Sequence, residues 1–265
     1  MSILVDMFRK SVEKSKDYRM KVETETPVGY STGFLTFDFR NGTVALGKKP
    51  DGTAFEYYSI GIADGSMVMI IGRSGCGKTT WTIQSAGNIV RPFPNSAIYH
   101  EDIEGGISNS RLYKLAGMPP EIAKTKYVHR NTGITCENFY QRVKMIHDIK
   151  MSNREEFEYD TGLYDEFGTR LYKLQPTVVI LDSLALLMPE KFSDEDEMSG
   201  QMSTTATAKA NAKIFRTIIP LLKAANIILF VINHITQAVS INPMQRKKAQ
   251  VSYLKIDESL PKRVA

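Results

Sequence analysis

The feature that most constrains the fold is an apolar run followed at once by a glycine-rich octet. Residues 67–71 read MVMII and predict a buried strand, and residues 72–79 read GRSGCGKT. The octet fits the pattern G-x-x-x-x-G-K-[ST], and the segment KTTWTIQSAGNIV from position 78 is compatible with a helix. This order of strand, tight turn and helix predicts a phosphate site at the start of the helix. An ordinary glycine-rich turn is the alternative.

The residue types of the octet favour a nucleotide. Glycines allow positive φ, so successive backbone N–H groups can converge on an anion. The Lys78 ammonium would reach the β- and γ-phosphates, and the Thr79 hydroxyl would hold Mg²⁺. We therefore expect ATP and Mg²⁺ as cofactors. The predicted nucleotide-binding residues in and beside the octet are Gly72, Arg73, Ser74, Gly75, Cys76, Gly77, Lys78, Thr79 and Thr80.

Strands and helices alternate along the chain from about residue 59. Helix-like segments separate the strand-like runs, and continuous apolar strands alternating with helices indicate a mostly parallel sheet covered on both faces. The fold class is therefore α/β. In such sheets ligands bind at the carboxyl ends of the strands. Strands are predicted at 67–71, 96–100, 126–129, 177–181 and 226–232, and helices near 79–90, 108–116, 136–149 and 203–224.

Two of these strands are followed by carboxylates. Asp182 follows TVVIL and could hold Mg²⁺, although a helix cap or turn residue is the alternative. Glu101, Asp102 and Glu104 follow SAIYH, and one of them could position an attacking water as general base. A solvated acidic turn is the alternative for any single member of this group.

Composition and charge exclude some classes of protein. The chain has 265 residues, 42% of them apolar, and only two cysteines, which suggests no disulfide framework. It shows no signal peptide and no apolar run of about 18 residues, so we expect a cytoplasmic protein without a membrane-spanning segment. The basic excess of residues 235–265 suits a polyanionic partner, although a solvated tail would look the same.

Five segments together resemble the RecA family of strand-exchange ATPases. Besides the octet they are YSTGFLTFDFRNG, DIEGGISNSRLYKLAG, VVILDSLALLMP and NIILFVINHI, and the resemblance covers roughly residues 28–255. It implies a RecA-like core at 28–234, with an insertion at 150–174 that we predict to be a surface hairpin. Residues 1–27 would form a helix and a strand, preceding the core, that could contact a neighbouring protomer, and residues 235–265 would hold the second DNA-binding loop.

The resemblance also assigns roles to individual residues. It implies that Glu104 is the catalytic base and that Asp182 holds Mg²⁺. His234 stands where the family usually has a glutamine that senses the γ-phosphate, and a histidine there resembles phage recombinases of the UvsX type. Arg111 stands at the position of the adenine-stacking tyrosine, and its guanidinium could stack on a base.

The family's DNA-binding loops match residues 190–203 and the segment after His234. The resemblance implies single-stranded DNA as a partner and self-association into a filament. A hexameric helicase or motor, and a non-catalytic ATP-binding regulator, are the alternatives. The candidate DNA-binding residues are Lys191, Met198, Met202, Arg246, Lys247 and Lys248.

The chain ends soon after the second of these loops. In the resembling proteins further strands follow and complete the sheet. We therefore expect a shortened product in which the strand at 226–232 has an unpaired side or an uncovered apolar face. We also expect weak DNA-stimulated ATP turnover. The alternative is that the segment at 150–174 fills the gap.

Overall fold

The computed structural model describes residues 27–190 and 201–234, and all statements below refer to these ranges. The predicted helix and strand of residues 1–27 lie almost wholly outside them. The strands are β1 Gly29–Tyr30, β2 Thr43–Lys48, β3 Ala54–Ser59, β4 Ile62–Ala63, β5 Met67–Gly72, β6 Ile98–Asp102, β7 Tyr127–Arg130, β8 Glu158–Tyr164, β9 Arg170–Leu174, β10 Thr177–Asp182 and β11 Ile227–His234. The helices are α1 Leu35–Asn41, α2 Lys78–Val90, α3 Asn109–Leu115, α4 Pro120–Lys126, α5 Cys136–Ser152, α6 Arg154–Phe157 and α7 Gln201–Ala224, and a short 3₁₀ helix spans Leu184–Leu186.

Five strands form one parallel sheet in the order β5-β11-β10-β6-β7. Each of the five predicted strands is present, with its limits shifted by a few residues at most, and the predicted α/β class is confirmed at this level. Helices lie between consecutive strands of the sheet, as parallel connections require. The carboxyl ends of all five strands therefore meet along one edge, which the candidate site occupies.

The two faces of the sheet are covered by different helices. Val178 and Ile180 of β10 pack in a core with α2 and α3, whereas Val179 and Leu181 pack in a second core with α5 and α7. This alternation follows from the period of two along a strand. Burying each of these side chains contributes roughly 1.5–3 kcal/mol, so the central strands are firmly held.

Strand β11 lies between β5 and β10, which corrects one expectation. The unpaired side or uncovered face predicted for residues 226–232 is wrong: β11 pairs on both sides, and its residues Ile227 to Asn233 are buried. Within the described ranges, β5 and β7 are the two strands of this sheet that have a neighbour on one side only, and the residues of β5 are half-buried. The inner position of β11 brings its last residue, His234, between the ends of β5 and β10.

The segment at 150–174 forms the predicted hairpin, built from β8 and β9. Side chains of this hairpin form polar contacts with residues near β1 and β4, so it is held against the rest of the domain. The Tyr159 hydroxyl lies 2.9 Å from that of Tyr30, and Lys173 Nζ lies 2.7 Å from an Asp64 carboxylate oxygen. Nowhere in residues 27–190 and 201–234 is there a helix with the length and apolarity to cross a lipid bilayer.

Candidate functional site

The glycine-rich loop leaves the carboxyl end of β5 and enters α2. Gly75 and Gly77 have φ values of 75° and 88°, which side chains other than glycine rarely adopt. A Cβ added at either glycine would meet nothing within 4 Å, so the loop is open to a ligand on that side. Residues 73–77 are exposed, and the backbone N–H groups of the first turn of α2 begin there. A loop of this shape can bind an anion.

The Lys78 side chain folds back over this loop. Its Nζ donates to the carbonyl oxygens of Gly72 at 3.1 Å and Arg73 at 2.8 Å, and it lies 3.3 Å from His234 Nδ1. Lys78 is 7% exposed, because it sits in the first turn of α2 against the sheet edge. One buried ammonium thus joins the loop to the end of β11.

Thr79 and Asp182 meet across the same edge. The Thr79 hydroxyl donates to Asp182 Oδ2 at 2.6 Å, while Asp182 Oδ1 is buried and has no hydrogen-bond partner among the described residues. Burial raises the pKa of Asp182; the Thr79 hydrogen bond opposes this, and the charges of Glu104 and Asp102 add to it. A hydroxyl beside a carboxylate oxygen that lacks a donor is a fitting ligand pair for Mg²⁺.

The three acids at the carboxyl end of β6 and in the turn after it have different partners. Glu101 forms an ion pair of 2.7 Å with Arg142 of α5 and is 4% exposed in its side chain. Asp102 accepts a hydrogen bond from the Gly105 backbone at 2.8 Å and lies 3.2 Å from His129 Nε2. Both therefore hold the structure around the turn.

Glu104 is the member of this group that turns toward the glycine-rich loop. Its Oε1 lies 2.6 Å from His234 Nε2, and its side chain is 40% exposed. Ligand atoms of Glu104, Asp182 and His234 all lie within 4.8 Å of one another. The structure thus brings together five predicted site residues: Lys78, Thr79, Glu104, Asp182 and His234.

Several neighbouring residues were not found from the sequence. Ser183 Oγ and Asn233 Nδ2 are buried beside Asp182 and His234, and neither has a partner in the part of the chain described. His100 Nδ1 lies 2.9 Å from the Tyr127 hydroxyl, and burial lowers the pKa of His100 to about 4. The polar residues Ser183 and Asn233 at the ends of apolar strands were a signal that could have been read.

The remaining predicted residues are less connected to this site. Arg111 is exposed on α3, Cys76 is an exposed free thiol of the loop, and Thr80 is half-buried in α2. Met202 belongs by its backbone to the first turn of α7, and its side chain lies outside what the structure describes. Lys191, Met198, Arg246, Lys247 and Lys248 also lie outside the described residues.

No protein-family model matches the chain, and no curated protein is similar to it at a significant level.

Proposed function

We propose that the chain is an ATP-dependent recombinase that binds single-stranded DNA, forms filaments on it and promotes homologous pairing. The observation that carries this proposal is the meeting of Lys78, Thr79, Asp182, Glu104 and His234 at one sheet edge. These are the residues that the resemblance to RecA-like ATPases assigns to nucleotide chemistry. Four separate segments of the sequence supply them, so their meeting supports the resemblance as a whole.

The loop and α2 would hold the phosphates. Backbone N–H groups of residues 73–79 would face the phosphates at the helix start, and the Lys78 ammonium would add a positive charge. Bound ATP would supply the phosphoanhydride bond, and Mg²⁺ would neutralise charge on its phosphates. Thr79 and Asp182 are the residues that would hold Mg²⁺.

Glu104 would orient and deprotonate the attacking water. Its partly exposed carboxylate can reach a water, whereas Glu101 is occupied by Arg142. General bases must lie within hydrogen-bond reach of the proton that they take, and they contribute about 10²–10⁴ in rate. Glu104 is therefore the proposed base.

His234 would connect nucleotide and DNA. It contacts Lys78 through Nδ1 and Glu104 through Nε2, and it is the last described residue before the segment 235–265. A change in its contacts would be passed directly to that basic segment, which holds the proposed second DNA loop. The expected weakness of DNA-stimulated turnover stays a prediction.

Steady-state ATP hydrolysis with and without single-stranded DNA, combined with electron microscopy, tests the proposal. We expect hydrolysis that the DNA increases, and filaments on DNA with ATP. Lys78→Ala should lose both, whereas Lys124→Ala, an exposed lysine of α4, should keep both. Closed rings would favour a helicase or motor, and ATP binding without hydrolysis or filaments would favour a regulator.

A further inference from the structure

The side chains of Glu104, Asp182 and His234 form a cluster with the chemistry of a metal site. One ligand atom from each lies within 4.8 Å of the other two. Three different segments supply them: the turn after β6, the end of β10 and the end of β11. The sheet fixes the positions of Asp182 and His234, because both strands are inner strands paired on both sides.

A second observation points to a cation at this cluster. Asp182 is only 3% exposed, and its buried Oδ1 accepts no hydrogen bond in the described ranges. Buried polar atoms nearly always have a partner, and a carboxylate oxygen without a donor is costly. The charges of Glu104 and Asp102 act on Asp182 from nearby. A bound cation would relieve both costs.

We propose that Glu104, Asp182 and His234 bind a divalent transition-metal ion, such as Zn²⁺ or Co²⁺, when no nucleotide is present. An imidazole nitrogen favours these ions over Mg²⁺, which prefers oxygen ligands in an octahedron. Two carboxylates and one imidazole provide three protein ligands and leave one position open, as in many zinc sites. Bonds of about 2.0–2.2 Å to one tetrahedral ion place its ligand atoms about 3.4 Å apart, so Glu104 Oε1 and His234 Nε2, now 2.6 Å apart, would have to separate to admit the ion.

The ion would also change the contacts of Lys78. His234 Nε2 faces Glu104, so this nitrogen would bind the metal and Nδ1 would carry the proton. A protonated Nδ1 cannot accept from the Lys78 ammonium, which now lies 3.3 Å away. The metal site itself needs no nucleotide. Its consequence for catalysis rests on the proposed function: an ion that holds Glu104 and His234 would inhibit ATP hydrolysis.

Titration of the nucleotide-free chain with Co²⁺, followed by visible absorbance, tests the site. A Cys76→Ser background removes the exposed thiol of the loop as a competing ligand. We expect about one ion per chain, displaced by Zn²⁺ and not by an equal concentration of Mg²⁺. His234→Gln and Glu104→Gln should each weaken Co²⁺ binding about ten-fold or more. Both side chains are partly exposed, so both variants should fold, which circular dichroism would check.

His147→Gln is the matched control, because His147 also stands beside a carboxylate, that of Asp148 at 2.8 Å. It should leave the Co²⁺ titration unchanged. Equal binding by the parent and His234→Gln, loss of the spectrum in His147→Gln, or the absence of any Co²⁺ spectrum would each overturn the proposal. None of these readouts involves ATP. A chain that binds Co²⁺ through His234 but never hydrolyses ATP would refute the proposed function and leave the metal site standing.

Discussion

Glu101 and Glu104 lie in one short stretch of chain. Changing each of them to glutamine should affect two different properties of the protein. Glu101→Gln breaks a buried ion pair, since Arg142 Nη1 lies 2.7 Å from a side chain that is 4% exposed. Glu104→Gln alters a side chain that is 40% exposed and contacts His234. The first change should reduce stability and the second should reduce catalysis.

The size of the stability loss follows from the surroundings of the pair. Removing one partner of a buried pair costs about 3–5 kcal/mol. Arg142 is 21% exposed and keeps a hydrogen bond to the Gly133 carbonyl, which lowers the cost. Burial raises the pKa of Glu101 against the opposing effect of Arg142, so loss of its charge also relieves a desolvation penalty. We expect about 2 kcal/mol, or a fall in Tm of about 4–8 °C.

Thermal unfolding and ATP turnover measured on both variants test this reasoning. Glu104→Gln should keep its Tm within about 2 °C, because surface changes usually cost less than 0.5 kcal/mol. Its turnover at saturating ATP should fall about 10²–10⁴-fold, while Glu101→Gln turns over normally well below its Tm. If Glu101→Gln abolishes turnover and Glu104→Gln does not, the assignment of the base to Glu104 is refuted.

Two further changes probe buried charges. Burial lowers the pKa of Lys150 to about 7, so the unfolded chain binds more protons above that pH. The free energy of unfolding should therefore rise between about pH 7 and 9, by roughly 1.4 kcal/mol per unit more in the parent than in Lys150→Met. Exposed Lys144→Met is the control, and equal slopes for parent and Lys150→Met in urea titrations would contradict the expectation. Asp182→Asn should raise the free energy of unfolding at pH 7, because it removes a buried charge whose pKa is raised, and should abolish MgATP binding in calorimetry. A lower free energy of unfolding for Asp182→Asn would show that the carboxylate does not destabilise the ligand-free fold.

The sheet and the place of the site could be predicted because both depend on local patterns. Apolar runs such as TVVIL and NIILFVI mark strands, and parallel strands end at one edge. That rule is enough to predict that Asp182 lies near the glycine-rich loop. The resemblance of the segment DIEGG to the family's catalytic segment then favours Glu104 over its acidic neighbours.

The features that could not be predicted from the sequence depend on contacts between distant segments. The Glu101 carboxylate accepts a hydrogen bond from Arg142, which lies on α5. No local sequence pattern predicts that ion pair. Strand β11 was predicted as a strand, but its position between β5 and β10 follows from the path of the connections. That position explains why His234 reaches both Lys78 and Glu104, and why the edges of the sheet, within the described ranges, are β5 and β7 instead.

We propose that the glycine-rich loop and its partners hydrolyse ATP in response to single-stranded DNA. The most direct measurement is the ATP hydrolysis rate of the 265-residue chain, with and without single-stranded DNA, beside Lys78→Ala under the same conditions. We expect hydrolysis that DNA raises, even if weakly, and that Lys78→Ala abolishes. Hydrolysis that is absent, indifferent to DNA, or retained in Lys78→Ala would contradict it.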